Sequence, residues 1–196
     1  MKQKKKISLT TVLGIGLILC SLCLLAYRQF RAPMEAQRRE ETVAQITALL
    51  PPVTQGVPGL YSGPEMPALS LEGQDYIGLL EVPGYGVTLP IGSQWNTRKL
   101  GSFPCRFWGS AYDNSLVIGG ATEGGQLDFC SSIDLGAYVS VTDMTGSRYT
   151  YTVTRVDRAS HAETDWLLSG EFDLTLFARA PLSLAYIAVR CTLTPG

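Results

Sequence analysis

Short segments rich in apolar and β-branched residues dominate the chain beyond Asp75, and they restrict the possible folds more than any other feature. Seven segments have this character: Ile77–Val82, Val87–Ile91, Leu116–Gly119, Tyr138–Asp143, Arg148–Val156, Leu174–Ala178 and Tyr186–Thr192. Helical patterns between them are few and short, at Leu127–Leu135 and Ala162–Leu168. Many short strands with little helix are typical of a closed or nearly closed barrel of mixed strands. We therefore predict a mainly β domain over residues 75–196.

The stretch Asp173–Arg190 reads as two strands joined by a short turn at Pro181. Apolar residues alternate with others along the first strand, which ends at Arg179 and Ala180. A strand end on a rigid scaffold is a common place for a reactive side chain. Neither a nucleophile nor a base stands at this strand end, and this absence bears directly on function.

An apolar run near the N-terminus, Ile7–Tyr27, contains no charged residue and is long enough to cross a bilayer as a helix. Lysines at positions 2, 4, 5 and 6 precede it, and such a basic cluster stays in the cytoplasm. Residues 1–31 are therefore predicted to form a cytoplasmic tip and a transmembrane anchor, with the C-terminal domain extracellular. A cleaved signal peptide is the alternative, but Tyr27–Phe30 offers no small-residue cleavage pattern.

The segment after the apolar run changes character twice. Glu35–Leu50 carries apolar residues at three- and four-residue steps, which predicts a helix. Two prolines end it, and Val53–Ser70 is rich in proline and glycine. Residues 32–74 are thus predicted to form a helix and a linker that holds the domain off the membrane.

Charge and cysteine content exclude several classes of function. The formal net charge of −1 gives no global field that would favour nucleic acid. Cys20 and Cys23 lie in the apolar run, which leaves Cys105, Cys130 and Cys191, an odd number that does not indicate a disulfide framework. No acidic cluster specifies a metal, and we predict neither a metal nor another cofactor.

The order and spacing of the predicted elements resemble those of the sortases, membrane-anchored cysteine transpeptidases of Gram-positive cell surfaces. The segments that carry the resemblance are Tyr76–Pro83, Val87–Ile91, Pro104–Tyr112, Ser115–Gly120, Phe129–Leu135, Tyr138–Asp143, Tyr149–Val153 and Asp173–Phe177. The resemblance covers about Tyr76 to Cys191 and leans toward class B, with a helix ahead of the barrel. It implies a sortase-type closed mixed β-barrel with short helices, preceded by a transmembrane helix and a short helix.

Sortase chemistry, as the resemblance implies it, uses three side chains. A cysteine thiolate attacks the backbone carbonyl of a sorting motif and forms a thioester. A histidine handles the proton of the leaving amine, because imidazole titrates in the useful range. An arginine donates hydrogen bonds to the substrate carbonyl as negative charge develops there.

None of the three stands at its family position in this chain. The family reads Ala-Gly-His after its Leu-Val-Ile strand, whereas Gly119–Ala121 puts Ala121 at the histidine position. The family reads Thr-Leu-x-Thr-Cys, whereas Thr175–Arg179 puts Arg179 at the cysteine position. Tyr186 takes the arginine position ahead of an alternating apolar strand. Groups of this kind act as a unit, so we predict a catalytically inactive pseudo-sortase.

The predicted function is peptide or partner binding at the cell surface through a remnant groove. The groove is assigned to Phe107, Trp108, Ala121, Arg179 and Tyr186. The predicted partners are a surface-protein sorting signal, an active sortase or a pilin-like protein. A decaying copy with no retained role is a further possibility.

The alternative from a different class is an active sortase-type transpeptidase that uses a thiol elsewhere, with His161, the only histidine, folding over the cleft. Cys105 is the thiol most able to reach the cleft in that case. Arg179 itself has two interpretations. It is either a substituted residue without a role, whose charged end extends into solvent, or a fixed cation that binds a carboxylate or a peptide carbonyl. Glu123 and Asp128 are acidic residues that can neutralise it.

Overall fold

The structure is a computed structural model that describes residues 9–60, 65–96, 102–122, 125–160, 164–168, 170–180 and 185–195. The chain divides into two compact units, one ending at Gln37 and one beginning at Arg38.

The first unit contains the beginning of helix α1, which runs from Leu9 to Leu49 and includes Pro33. Over the part of the chain that the structure describes, no helix combines the length and apolar character that a membrane span requires. The predicted basic tip at residues 2–6 lies outside the described residues. The transmembrane anchor therefore stays a prediction.

The last turns of α1 belong to the second unit. The segment predicted as a helix over Glu35–Leu50 is helical to Leu49, but it continues α1 from Leu9 instead of forming a separate short helix. Ile46 is fully buried against a group of residues from the sheet and its loops. That group comprises Tyr76, Leu79, Phe103 and Cys105. The helix ends where two prolines follow Leu50, because proline offers no N–H to continue the ladder.

The described residues of the second unit form ten strands. They are β1 (Thr54–Gln55), β2 (Leu69–Leu71), β3 (Gln74–Val82), β4 (Val87–Gly92), β5 (Cys105–Trp108), β6 (Leu116–Gly120), β7 (Tyr138–Asp143), β8 (Ser147–Ala159), β9 (Leu174–Arg179) and β10 (Tyr186–Leu193). Among the described connections between them are two 3-10 turns, at Pro83–Tyr85 and Asp128–Ser131, and helix α2 at Thr164–Leu167.

Eight of these strands form a closed barrel. Strands β8, β10, β9, β6, β5, β4 and β3 neighbour one another in that order, and β7 pairs with both β3 and β8 and so completes the ring. Two of the pairings, β4 with β5 and β6 with β9, are parallel, and the others in the ring are antiparallel. The predicted closed barrel of mixed strands is confirmed.

The barrel interior is filled by the apolar side chains of every second residue along the strands. Leu174, Leu176 and Ala178 of β9 point inward, as do Tyr149 and Tyr151 of β8, and all five contribute to the main apolar cluster. Successive residues of a strand face opposite sides of the sheet, so the intervening residues lie outside. Each fully buried aliphatic side chain contributes about 1.5–3 kcal/mol through the area removed from water.

The turn between β7 and β8, predicted at Met144–Ser147, is organised by a buried carboxylate. Asp143 Oδ1 accepts hydrogen bonds from the backbone N–H groups of Thr145 and Ser147, at 2.8 and 2.9 Å. The other oxygen accepts from the Tyr112 hydroxyl at 2.7 Å. Gly146 has φ = 81°, a left-handed conformation that glycine adopts without strain.

Some elements differ from the sequence-based expectations. Strands β1, β2 and β5 were not expected, and each is too short for a clear alternation. The segment predicted as a linker contributes β1, and Met66 within it is only 5% exposed in the barrel core. The helix predicted at Leu127–Leu135 is reduced to one 3-10 turn, whereas α2 lies within the predicted Ala162–Leu168.

Candidate functional site

The ends of β6, β9 and β10 meet at one place in the barrel wall. In the parallel pairing of β6 with β9, Gly120 lies opposite Ala178, so Ala121 comes next to Arg179. In the antiparallel pairing of β9 with β10, Arg179 lies opposite Tyr186. The structure therefore brings the three predicted positions together as neighbours on adjacent strands.

These three positions face the outside of the barrel. Ala178 points into the core, so the next residue, Arg179, points outward together with Phe177. A third apolar cluster covers this outer side, and we call it the outer-face cluster. Its buried members are Val117, Leu167, Phe177 and Ala188, and its partly buried members are Trp95, Phe107, Trp166, Leu168 and Tyr186.

Trp95 packs against two phenylalanine rings of the outer-face cluster. Its ring stacks on Phe177 with a centroid distance of 5.3 Å and an interplanar angle of 28°, and it meets Phe107 edge-on at 5.2 Å. Gly119 lies directly beneath, where a Cβ atom would overlap the rings of Trp95 and Phe177. The missing side chain of a glycine thus admits an indole ring from the segment after β4.

The two aromatic residues predicted to line the groove occupy different places. Phe107 belongs to the outer-face cluster and packs edge-on against Phe177 at 5.3 Å. Trp108 is 58% exposed and lies outside that cluster. A register shift in the pairing of β5 with β6 falls between Arg106 and Trp108.

Arg179 is exposed at the end of β9, and its backbone is well held. The Thr122 hydroxyl donates a hydrogen bond to the carbonyl oxygen of Arg179 at 2.7 Å. The next residue, Ala180, donates its N–H to the carbonyl of Ala185 at 2.8 Å. Glu123, one of the two acids considered as its neighbours, lies outside the described residues, as does the turn around Pro181.

The thiols of the barrel domain are buried. Cys105 is 1% exposed, and Cys130 and Cys191 are fully buried. Burial raises the pKa of the Cys191 thiol to about 12 and also raises the pKa of Cys130. A nucleophilic thiol needs the opposite shift, because the thiolate is the reactive form. His161, the histidine that a relocated pair would need, lies outside the described residues.

Solved sortase structures share this architecture. Sortase C from Clostridium perfringens SM101 is 18% identical with a TM-score of 0.55, covering 62% of this chain and 71% of that chain. Sortase C1 from Streptococcus agalactiae is 16% identical with a TM-score of 0.56, covering 65% and 72%. A lid mutant of sortase A from Corynebacterium diphtheriae is 19% identical with a TM-score of 0.55, covering 63% and 72%. The chain has the sortase fold. No protein-family model and no curated protein sequence matches it.

These sortase structures are named C and A, so the lean toward class B stays a prediction. Within the sortase fold, the parts of this chain that the structure describes contain no group of three or more side chains able to hold a metal ion.

Arg190 is a residue of this region that the sequence-based site assignment missed. It lies on β10, on the same outer side as Tyr186, and is 1% exposed. An arginine within a run of apolar strand residues was the available signal, since a charge at such a position requires partners. Those partners lie in α2 and in β8 and β9.

Proposed function

We propose that the protein is a non-catalytic module with a sortase fold that binds an extended peptide or a partner protein at the cell surface. The observation that carries this proposal is the meeting of Ala121, Arg179 and Tyr186 at the adjoining ends of β6, β9 and β10. These are the positions where the resemblance expects histidine, cysteine and arginine.

The side chains at these positions do not support thioester chemistry. The methyl group of Ala121 carries no proton to transfer. Arg179 stays protonated at any workable pH and is no nucleophile. The thiols of Cys130 and Cys191 have raised pKa values and lie in the barrel core, and Cys191 pairs with Leu174 at the other end of β9 from Arg179. Binding therefore remains as the activity this surface supports.

The same side chains suit peptide recognition. An exposed guanidinium donates two parallel hydrogen bonds to a carboxylate, or one to a peptide carbonyl. Partly buried aromatic rings offer contact area at low conformational cost, and Tyr186 adds a hydroxyl. One C. perfringens sortase C structure contains the C-terminal cell wall sorting motif. We take such a peptide, the sorting signal of a surface protein, as the ligand class of this module. An active sortase or a pilin-like protein is the alternative partner.

The proposal includes the location. The apolar run Ile7–Tyr27 with its preceding lysines supports a single-pass anchor with a cytoplasmic N-terminus. The barrel then faces the exterior, where sorting signals are displayed.

A direct test uses the full-length chain in detergent micelles with a fluorescein-labelled peptide carrying a C-terminal cell wall sorting motif. We expect saturable binding by fluorescence anisotropy and no thioester adduct by mass spectrometry under hydroxylamine-free conditions. A peptide of the same composition in scrambled order is the control. Equal binding of both peptides contradicts the proposed specificity, and a thioester adduct on the unmodified chain supports the active-enzyme alternative instead.

A reconstruction tests the assignment of the three positions. The triple variant Ala121→His, Arg179→Cys, Tyr186→Arg restores the thiol, imidazole and guanidinium at neighbouring positions. We expect it to form a thioester with the sorting-motif peptide at a measurable rate. The matched control carries Arg179→Ser with the other two changes. A folded triple variant that binds the peptide but forms no adduct would show that the register of these positions is wrong.

A further inference from the structure

A buried cation lies beneath α2 on the outer side of the barrel. Arg190 Nη1 donates hydrogen bonds to the backbone carbonyl of Leu167 and to the hydroxyl of Thr175, both at 3.1 Å. Its Nη2 donates to the backbone carbonyl of Trp166. Its Nε donates to Asp157 Oδ2 at 3.4 Å. One side chain thus joins α2 to β8 and β9.

Two aromatic rings enclose the guanidinium group. Its central carbon lies 5.0 Å from the centroid of the Trp166 ring and 5.4 Å from that of Phe172, within the range of a cation–π interaction. Burial lowers the pKa of Arg190, and the Asp157 carboxylate opposes that effect. A buried charge persists only where its donors are paired, and here both terminal nitrogens and Nε have acceptors.

The backbone of α2 needs this support. The helix has four residues, and its last carbonyl groups have no partner within the helix. A single helical turn is unstable by itself, because nucleation costs more than one hydrogen bond returns. The carbonyls that Arg190 binds, those of Trp166 and Leu167, are the last two within α2.

We propose that Arg190 is a positioning residue that holds α2 against the barrel, and that α2 forms one wall of the peptide site. Trp166, Leu167 and Leu168 all belong to the outer-face cluster, together with Tyr186. The position of that wall then depends on the hydrogen bonds from the buried guanidinium to the carbonyls of Trp166 and Leu167. This proposal rests on the proposed function for the identity of the ligand, but its structural half stands alone.

The test compares the full-length protein with its Arg190→Met variant in detergent micelles. Methionine keeps apolar volume between the two rings and removes every hydrogen bond. By hydrogen exchange with mass spectrometry, we expect protection of residues 164–168 to fall by about 10-fold or more, while β9 and β10 stay protected. Affinity for the fluorescein-labelled sorting-motif peptide falls by about 10-fold as the wall is released. The control is Arg155→Ala, which removes the exposed partner of Asp157.

Two results overturn the proposal. Unchanged exchange at residues 164–168 in Arg190→Met shows that the cation does not hold α2. Unchanged peptide affinity with faster exchange shows that α2 is no wall of the site. Should Arg190→Met fail to fold, Arg190→Lys keeps the charge but loses the planar guanidinium that binds the carbonyls of Trp166 and Leu167 together, and unchanged exchange at residues 164–168 in that variant has the same meaning. If the unmodified chain binds no peptide, the proposed function fails, and the exchange measurement still decides the role of Arg190.

Discussion

The two faces of strand β9 differ in the kind of contacts that their side chains make. The inner face presents Leu174, Leu176 and Ala178 to the barrel core, and all three are fully buried. The outer face presents Thr175, Phe177 and Arg179, and each meets a different part of the chain. Thr175 accepts from Arg190, Phe177 stacks with Trp95, and the carbonyl of Arg179 accepts from Thr122.

This difference means that the residues that hold the barrel together are not the residues of the candidate site. The inner face requires only apolar side chains of suitable volume at every second position, so many sequences satisfy it. The outer face depends on specific partners that come from distant segments. A sortase-fold barrel can therefore persist while the side chains at its outer strand ends change, and we propose that this happened at Ala121, Arg179 and Tyr186.

The largest effect should follow from a cavity on the inner face. Leu176→Ala removes a fully buried side chain, and we expect the free energy of unfolding to fall by about 2–5 kcal/mol. Chemical denaturation of the detergent-solubilised chain measures it. Leu135→Ala is the matched control, because that leucine is 66% exposed and should lose little. Comparable losses for the two variants would mean that β9 does not pack in the barrel core.

The contact between Trp95 and Gly119 is the next test, now on the outer face. Gly119→Ala places a methyl group where the rings of Trp95 and Phe177 lie, and we expect a loss of about 1–3 kcal/mol in the free energy of unfolding. The control is Gly84→Ala, where a Cβ atom would meet nothing within 4 Å.

A double-mutant cycle sharpens this result. Trp95→Ala removes the ring that the new methyl group displaces, so the two changes should not add, and the cycle should show a coupling of about 0.5–3 kcal/mol. Additive losses would place the indole away from Gly119.

The sequence predicts the inner face well and the outer face poorly, for the same reason. The alternation of apolar and other residues along Leu174–Ala178 is a local pattern. The strand, its buried residues and its end at Arg179 can therefore be predicted from a few neighbouring residues. The pairing that sets Ala121 beside Arg179 came from a family resemblance rather than from local pattern. The roles of Trp95 and Arg190 depend on contacts with Gly119 and α2 that no local periodicity encodes.

The thiol of Cys191 tests the inner face by its pH dependence. Burial raises its pKa to about 12, whereas an unfolded cysteine has a pKa of about 8.5. Between those values the unfolded chain has lost the proton and the folded chain retains it. The free energy of unfolding should therefore decrease as pH rises, by up to about 1.4 kcal/mol per pH unit for this group. The contribution is present in full below about pH 8.5.

Denaturation at several pH values between 8 and 11 measures that slope, and Cys191→Ala should have a shallower one. The difference between the two proteins removes the effect of Cys130, which titrates in both. Identical slopes would indicate that Cys191 is accessible, and they would revive the case for a reactive thiol in this barrel.

The smallest effect on stability, and the most informative one for function, should come from Arg179→Ala. The side chain is exposed at a strand end, so the free energy of unfolding should change by no more than about 0.5 kcal/mol. If its guanidinium binds a ligand carboxylate or carbonyl, affinity for the sorting-motif peptide should weaken by about 1.5–3 kcal/mol, as measured by anisotropy. Arg158→Ala is the matched control. That arginine is also exposed, but it pairs with the inward-facing Ile187 and so does not share the outer face with Arg179. Equal peptide affinity in both variants would show that Arg179 does not bind the ligand. The outer-face cluster, which includes Phe107 and Trp166, would then be the surface that selects the ligand.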